Sequence, residues 1–416
     1  MTEKGGSMRR MESGADRWTR RRVLGGTAAM LGLGGTASSV LASEHAADLA
    51  RLGPLGRQAS RPLRLLLPQG SEDNLAPVVE AFTAASGCRV ELRVVPFSDV
   101  ATVLALDTMS GAAEIDVALP ATYAIADLVG AGAVVPLGEL ANRYEPPDLV
   151  EGMLYDTGNH YGGQRYGYQT DGDVFVMFLN RRFFDAEDLR KGYEDRFGTA
   201  LSVPATWQEL DRQMLWFDDP DAGRRGGTLF RSPSLIVWEW WLRLHGKGIW
   251  PAAPDMTPAF ESEEAREALE ELIAVTPAQI ANPDILGDRY GQGDAYANLG
   301  WGGTQKSLQR GAEIRDELIF AAPPGGVFGD RTLTLPYFNW GWSYVVSSGS
   351  PMQELAYLFC LMAVKPELST AAVRRDAGFF DPFRREHYAD PVIRDVYTGN
   401  FLAIHHDVLA RSIPDF

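Results

Sequence analysis

Two aspartates, Asp171 and Asp173, stand with Gln169 and Thr170 at the mouth of an apolar run, VFVMFL at 174–179. The run reads as a buried strand bounded by turn-type residues. Carboxylates and an amide at a strand mouth suit two kinds of chemistry. They can hydrogen-bond the polar groups of a small ligand, or they can form an acid and base pair on a bond to be cleaved, such as a glycosidic bond. The second needs carboxyls on opposite sides of the scissile bond, about 5 Å apart in retaining enzymes and about 6.5–9.5 Å apart in inverting ones. Neighbours on one extended segment do not flank a bond in that way. Hydrogen bonding therefore leads, and no catalytic residue is assigned.

A small ligand's apolar C–H surfaces can be covered by aromatic rings. Three segments concentrate tryptophan: VWEWW at 237–241, LGWGGT at 299–304 and NWGW at 339–342. In the first, Trp238 and Trp241 share a helical face at i and i+3. Metal chemistry has little to build on. His405 and His406 are adjacent rather than spaced as ligands, and Cys88 and Cys360 offer neither a metal spacing nor a disulfide framework. No metal and no cofactor are expected. The formal net charge of −16 repels nucleic acid and anionic membrane, so neither is an expected partner.

The elements that must position these residues follow from periodicity. LRLLL at 63–67 reads as a strand, and Leu75, Val78, Val79 and Phe82 mark a helix that Gly87 stops. RVELRVV at 89–95 is a second strand, Val100, Val103, Leu104 and Met109 a second helix, EIDVALP at 114–120 a third strand, and 123–129 a third helical stretch. Right-handed crossovers fold this order into a parallel sheet covered on both faces. Ligands bind beyond the carboxyl ends of such strands, which makes Gln69, Ser71, Thr122 and Tyr123 candidates. Thr206 to Glu209 fits a capping box, Ser262 caps a helix with Ala265, Leu269, Leu272 and Ile273 inward, and Ser350-Pro351-Met352-Gln353 reads as another helix start.

At 416 residues the chain has room for two or three domains. TRRRVLGG at 19–26, followed by a weakly apolar, glycine-rich stretch ending in Val40-Leu41-Ala42, resembles a twin-arginine secretion signal.

Four stretches carry a wider resemblance: YGYQTDGDVFVMFLNRRFF, SVPATWQEL, GDAYANLGWGGTQKSL and FNWGWSYVVSSGSPMQELAYLFCLMAVKPELS. In this order the chain resembles the bacterial extracellular solute-binding proteins of family 1, the maltose-binding-protein-like class that serves ABC importers for sugars and polyols. The resemblance implies an α/β, two-lobed periplasmic-binding-protein type II fold, each lobe a mainly parallel sheet flanked by helices, with the ligand cleft between. It implies a signal at 1–42, a linker at 43–61, lobe 1 at 62–170 and 321–364, and lobe 2 at 171–320, with a closing helical segment at 365–416 that ends earlier than in relatives. By the same resemblance Asp171 and Asp173 lie on the cleft floor, and Trp238, Glu239, Trp301, Trp340 and Arg375 reach the site. Trp240, Trp241 and Trp342 are expected in the core. The implied protein is a periplasmic monomer, not an enzyme, whose partners are a sugar or polyol and the permease subunits of an ABC transporter. A cationic ligand such as a polyamine or a betaine-like amine is the alternative, with a glycoside-active enzyme further behind.

Overall fold

The computed structural model describes residues 51–233, 235–253, 257–280, 289–329, 331–333, 337–338 and 341–413. Two main sheets are built from β1 (Leu63–Pro68), β2 (Val90–Val95), β3 (Val117–Ala118), β4 (Gly167–Gln169), β5 (Val176–Asn180), β6 (Arg225–Gly227), β7 (Ala295–Gly300), β8 (Leu318–Ala321) and β9 (Ser343–Val346). The first has the order β2-β1-β3-β9-β4 and the second the order β8-β5-β7-β6. Helices flank both sheets, giving a two-lobed α/β protein.

Leu63, Leu65, Leu66 and Leu67 of β1 are buried on both faces, as a central strand requires. Leu65 pairs in parallel with Leu92 of β2 and Val117 of β3. The helix Glu72–Ser86 then buries Leu75, Val78 and Phe82, and Gly87 ends it with a φ of 73° that favours glycine.

Strand direction differs from expectation: both sheets are mixed. β1 is parallel to β2 and β3, and β6 to β7, but β9 opposes β3 and β4, and β5 opposes β7 and β8. The connections explain this. Crossover helices repeat one strand direction, whereas β5 and β9 each enter their sheet from the other lobe and run away from the seam.

The capping box at Thr206 is present, with the threonine hydroxyl accepting from Glu209 N–H at 3.2 Å. Ser262 accepts from Ala265 N–H at 3.1 Å. Three other local expectations are corrected. The Ser350 hydroxyl accepts from Met352 N–H at 3.0 Å, as a cap would, and donates to buried Asp116 at 2.5 Å, but 351–352 form a turn and the helix starts only at Gln353. The helix Glu263–Val275 buries Ala265, Ala268, Leu272 and Val275, leaving Leu269 and Ile273 exposed. Its small alanine face allows close packing against the helices Trp207–Phe217 and Ile236–Gly246. The expected linker contains a helix, Leu52–Gln58, which buries Leu52 and lays Gly56 against the Ser86 carbonyl. Cys88 and Cys360 are free and buried.

The chain passes between the lobes along three segments: 170–175 from β4 to β5, 322–342 from β8 to β9, and 374–400 between two helices. The first of those helices, Pro366–Val373, packs on Glu72–Ser86 of the first lobe, where Asn74 donates its side-chain amide to Ala372 O at 2.8 Å. The second, Phe401–Ala410, packs on β5 and β8. The segment expected to close the second lobe from 365 onward thus begins on the first.

Candidate ligand-binding seam

The three crossing segments converge. The first supplies Asp171 and Asp173, the end of the second Trp342, and the third Asp381. One carboxylate oxygen from each of the three aspartates lies within 4.8 Å of the others, and all three residues are buried. Asp381 N–H donates to Asp171 Oδ1 at 2.6 Å. Gly303 N–H and the Tyr397 hydroxyl donate to Asp381 at 3.2 and 3.0 Å, and the Trp342 indole N–H donates to Asp173 Oδ2 at 3.1 Å. Gly172 makes the convergence possible, because a Cβ there would stand 2.0 Å from the Pro382 carbonyl oxygen. Lys306 is buried on the helix Gly302–Gln309, and its ammonium donates to the carbonyls of Val373, Arg375 and Phe380 at 3.1, 3.3 and 2.5 Å.

Burial dominates the electrostatics. It raises the pKa of Asp171 and Asp173 well above the usual carboxylate range, and the neighbouring carboxyls push the same way. Burial lifts Asp381 to about 6, against the pull of Lys306 and the Tyr397 hydroxyl. Lys306 is itself lowered by burial, although Asp381 and Asp171 oppose that shift. His387 and His405 nearby are pushed down to about 3, again mainly by burial, and so stay neutral. Among the described residues, these three carboxylates could chelate a metal. The donor set suits protons better. An ammonium already stands beside them, and Asp171 Oδ1 and both oxygens of Asp381 already accept N–H or O–H bonds.

Aromatic rings from both lobes also meet across the seam. Tyr123, just after β3, meets Trp238 of the second lobe at 5.6 Å. Trp238 packs edge-on against Trp241 at 5.1 Å. Phe379 of the third crossing lies 5.7 Å from Trp342, and Cβ atoms added at Gly70 and Gly303 would touch its ring or Cβ at 3.4 and 3.1 Å. Phe97, Tyr123 and Phe379 all pack on the second-lobe apolar cluster.

The structure brings Asp171, Asp173, Tyr123 and Trp238 to the seam and distributes the other predicted residues around it. Gln69 is exposed at the end of β1, next to the glycine that faces Phe379. Ser71 is buried, its hydroxyl donating to Pro68 O at 2.8 Å, so it shapes the turn. Thr122 is buried against Gly158, and its N–H donates to Gly341 O at 2.8 Å. Trp301 packs in the second-lobe core, 5.1 Å from Phe175 and 5.4 Å from Phe230. Glu239 is buried in an ion-pair network with Arg231 and Arg243, one helical position round from Trp238. Arg375 points outward and pairs with Asp73. Trp340 lies outside the described residues. Trp342, expected as core, is buried but donates to Asp173. Asp381, Lys306 and Tyr397 escaped sequence reasoning. Asp381 lies six residues beyond the Arg375 candidate in the closing segment, and that proximity was the available signal.

A family model described as bacterial extracellular solute-binding protein matches residues 70–360. The chain belongs to that family. No curated protein matches this solute-binding protein by sequence. Solved structures share its fold. An ABC transporter solute-binding protein from Agrobacterium radiobacter K84, in complex with ribitol, superposes with a TM-score of 0.72 at 16% identity, covering 86% of this chain and 89% of the other. An ABC substrate-binding protein from Listeria monocytogenes, in complex with cycloalternan, gives 0.68 at 15% identity over 86% and 88%. UgpB from Mycobacterium tuberculosis, in complex with glycerophosphocholine, gives 0.66 at 15% identity over 86% and 88%.

Proposed function

We propose that this solute-binding protein is the substrate-capturing component of an ABC importer. It grips a sugar, oligosaccharide or polyol between its lobes and delivers it to the permease. The observation that carries this is the seam itself: a hydrogen-bonding carboxyl, Asp173, on a floor built from three crossing segments, with Tyr123 and Trp238 facing each other from opposite lobes. Carboxyls hold hydroxyls and aromatic faces cover C–H surfaces. The ribitol and cycloalternan complexes of similar structures support the same ligand class. The ligand touches both lobes only when they close, so its differential affinity shifts the population toward the closed form that docks on the permease. We propose export by the twin-arginine pathway through residues 1–42 and a monomeric periplasmic protein. Catalysis is not part of the proposal. The aspartates at the seam bond to protein donors and to one another rather than facing each other across a gap.

A cationic or zwitterionic ligand is the second reading, favoured by carboxyls beside aromatic rings and by the glycerophosphocholine complex of a similar structure. A thermal-shift panel of sugars, polyols and amines separates the two. A true ligand at 100 times its Kd stabilises by about 2.7 kcal/mol. Stabilisation by amines alone would overturn the sugar and polyol assignment.

A further inference from the structure

Three carboxyl groups and one ammonium share the junction of the crossing segments. Fully ionised, they would leave two negative charges uncompensated in a buried site. Among the described residues, the surroundings do not supply the missing cations. Tyr397 and Tyr388 present hydroxyls, and His405 and His387 are neutral. Trp342 presents an indole N–H. Arg310 and Asp376, which also act on Lys306, have opposite charges. Asp171 Oδ2 is buried and accepts no hydrogen bond among the described residues, a position an ionised oxygen tolerates poorly. Asp381 is the member best solvated as an anion, since it accepts from Gly303 N–H and Tyr397 and lies near Lys306. An Asp173 carboxyl oxygen lies within 4.8 Å of one from Asp381, and burial, together with that neighbouring carboxyl, pushes the Asp173 pKa up. Carboxyls this close do not all ionise, and their protons belong to the group as a whole.

We propose that Asp173 meets the ligand as an uncharged carboxyl that shares its proton with Asp381, and that this junction selects uncharged polyhydroxy ligands over cations. The proposal rests on the binding role argued above and names the chemistry of that same site. A neutral carboxyl offers a hydroxyl a hydrogen-bond partner without net charge, so a cation gains no ion pair. The same protons hold the three crossing segments together. Each aspartate binds its proton more tightly in the folded protein than in the unfolded chain. Their stabilising effect is therefore complete below the ordinary carboxylate pKa, falls as pH rises through about 6 for Asp381, and falls further as the other two ionise.

The test uses the full-length protein without ligand first. Thermal unfolding is followed from about pH 5 to about pH 9 for wild type, Asp173→Asn and Asp171→Asn. The expected result is a wild-type melting temperature that falls toward alkaline pH, with flatter profiles and higher alkaline melting temperatures for the amide variants. Variants that melt lower at alkaline pH, with the wild-type slope intact, would overturn the proposal. If an amide variant fails to fold, infrared spectroscopy of the wild type decides. A protonated-carboxyl band persisting at pH 7.5, when surface carboxyls are ionised, supports the proposal, and its absence overturns it. Calcium or manganese chloride raising the wild-type melting temperature at pH 9, but not that of Asp173→Asn, would assign the junction to a cation and overturn it as well. Ribitol, mannitol, maltose, glycine betaine and spermidine then serve as probes at pH 7. Shifts from the polyhydroxy probes alone support selection, and shifts from the amines alone defeat it. If no probe binds, the binding role fails and selection with it, while the infrared band still decides the protonation.

Discussion

The second lobe holds another buried cluster of charge, and it differs from the one at the seam. There Arg243 pairs with Glu239 at 2.9 Å and with both oxygens of Asp211 at 2.7 Å, and lies 4.3 Å over the Trp207 ring. Arg231 closes the other side of Glu239. Glu271, 3.8 Å from Arg243, is held by Lys247 at 2.9 Å, so Arg231, Arg243 and Lys247 face Asp211, Glu239 and Glu271, with Glu267 at the rim 3.4 Å from Lys247. At the seam three carboxyls face one ammonium whose hydrogens already go to backbone carbonyls. A balanced network fixes a helix in a lobe. An unbalanced one, placed where three segments cross, leaves a polar group able to answer a ligand. The contrast also separates Glu239, beside Trp238 in sequence, whose carboxyl is taken up by two arginines, from Asp173, for which a binding role is proposed.

Breaking the balanced cluster gives the largest expected effect. Arg243→Met strands Asp211, leaves Glu239 to Arg231 alone, and should cost about 3–5 kcal/mol in urea unfolding; a loss under about 1 kcal/mol would mean the network is not holding the lobe. Next, Gly172→Ala forces a Cβ against the Pro382 carbonyl and should destabilise by about 1–3 kcal/mol, read the same way. Unchanged stability there would show that the first and third crossings are not in backbone contact. Tyr123→Ala removes a first-lobe ring from the seam and should weaken ligand binding about tenfold in calorimetry, about 1.4 kcal/mol, with the fold retained. Arg375→Ala breaks a surface pair with Asp73 and should change stability by less than about 0.5 kcal/mol and leave binding alone. A tenfold loss of binding in that variant would return Arg375 to the site.

Much of this was legible in the sequence because it is local. The apolar run of β1, the stop at Gly87, the capping box at Thr206 and the order of segments each declare themselves within a few residues. Asp171 and Asp173 stood out because polar residues at a strand mouth are conspicuous. Their partner Asp381 did not, since it lies 210 residues beyond Asp171 and is brought in only by tertiary folding. Lys306 reads as an ordinary helical lysine until the Gly302–Gln309 helix carries it beneath the third crossing. The mistaken inward stripe at Leu269 and Ile273 has a similar cause. Hydrophobicity favoured the larger residues, but close helix packing selected the alanine face. Ser350 carried the sequence of a cap and does accept from Met352 N–H, but it also anchors to buried Asp116 and the helix begins two residues later than expected.

The central claim is that two lobes close on a polyhydroxy guest above Asp173. Tryptophan fluorescence tests it most directly, since Trp238 and Trp342 line the seam. Titration of the full-length protein with ribitol, mannitol and maltose should give a saturable change with at least one of them, weakened in Tyr123→Ala. A signal that stays flat with all three, but saturates with glycine betaine or spermidine, would contradict the account.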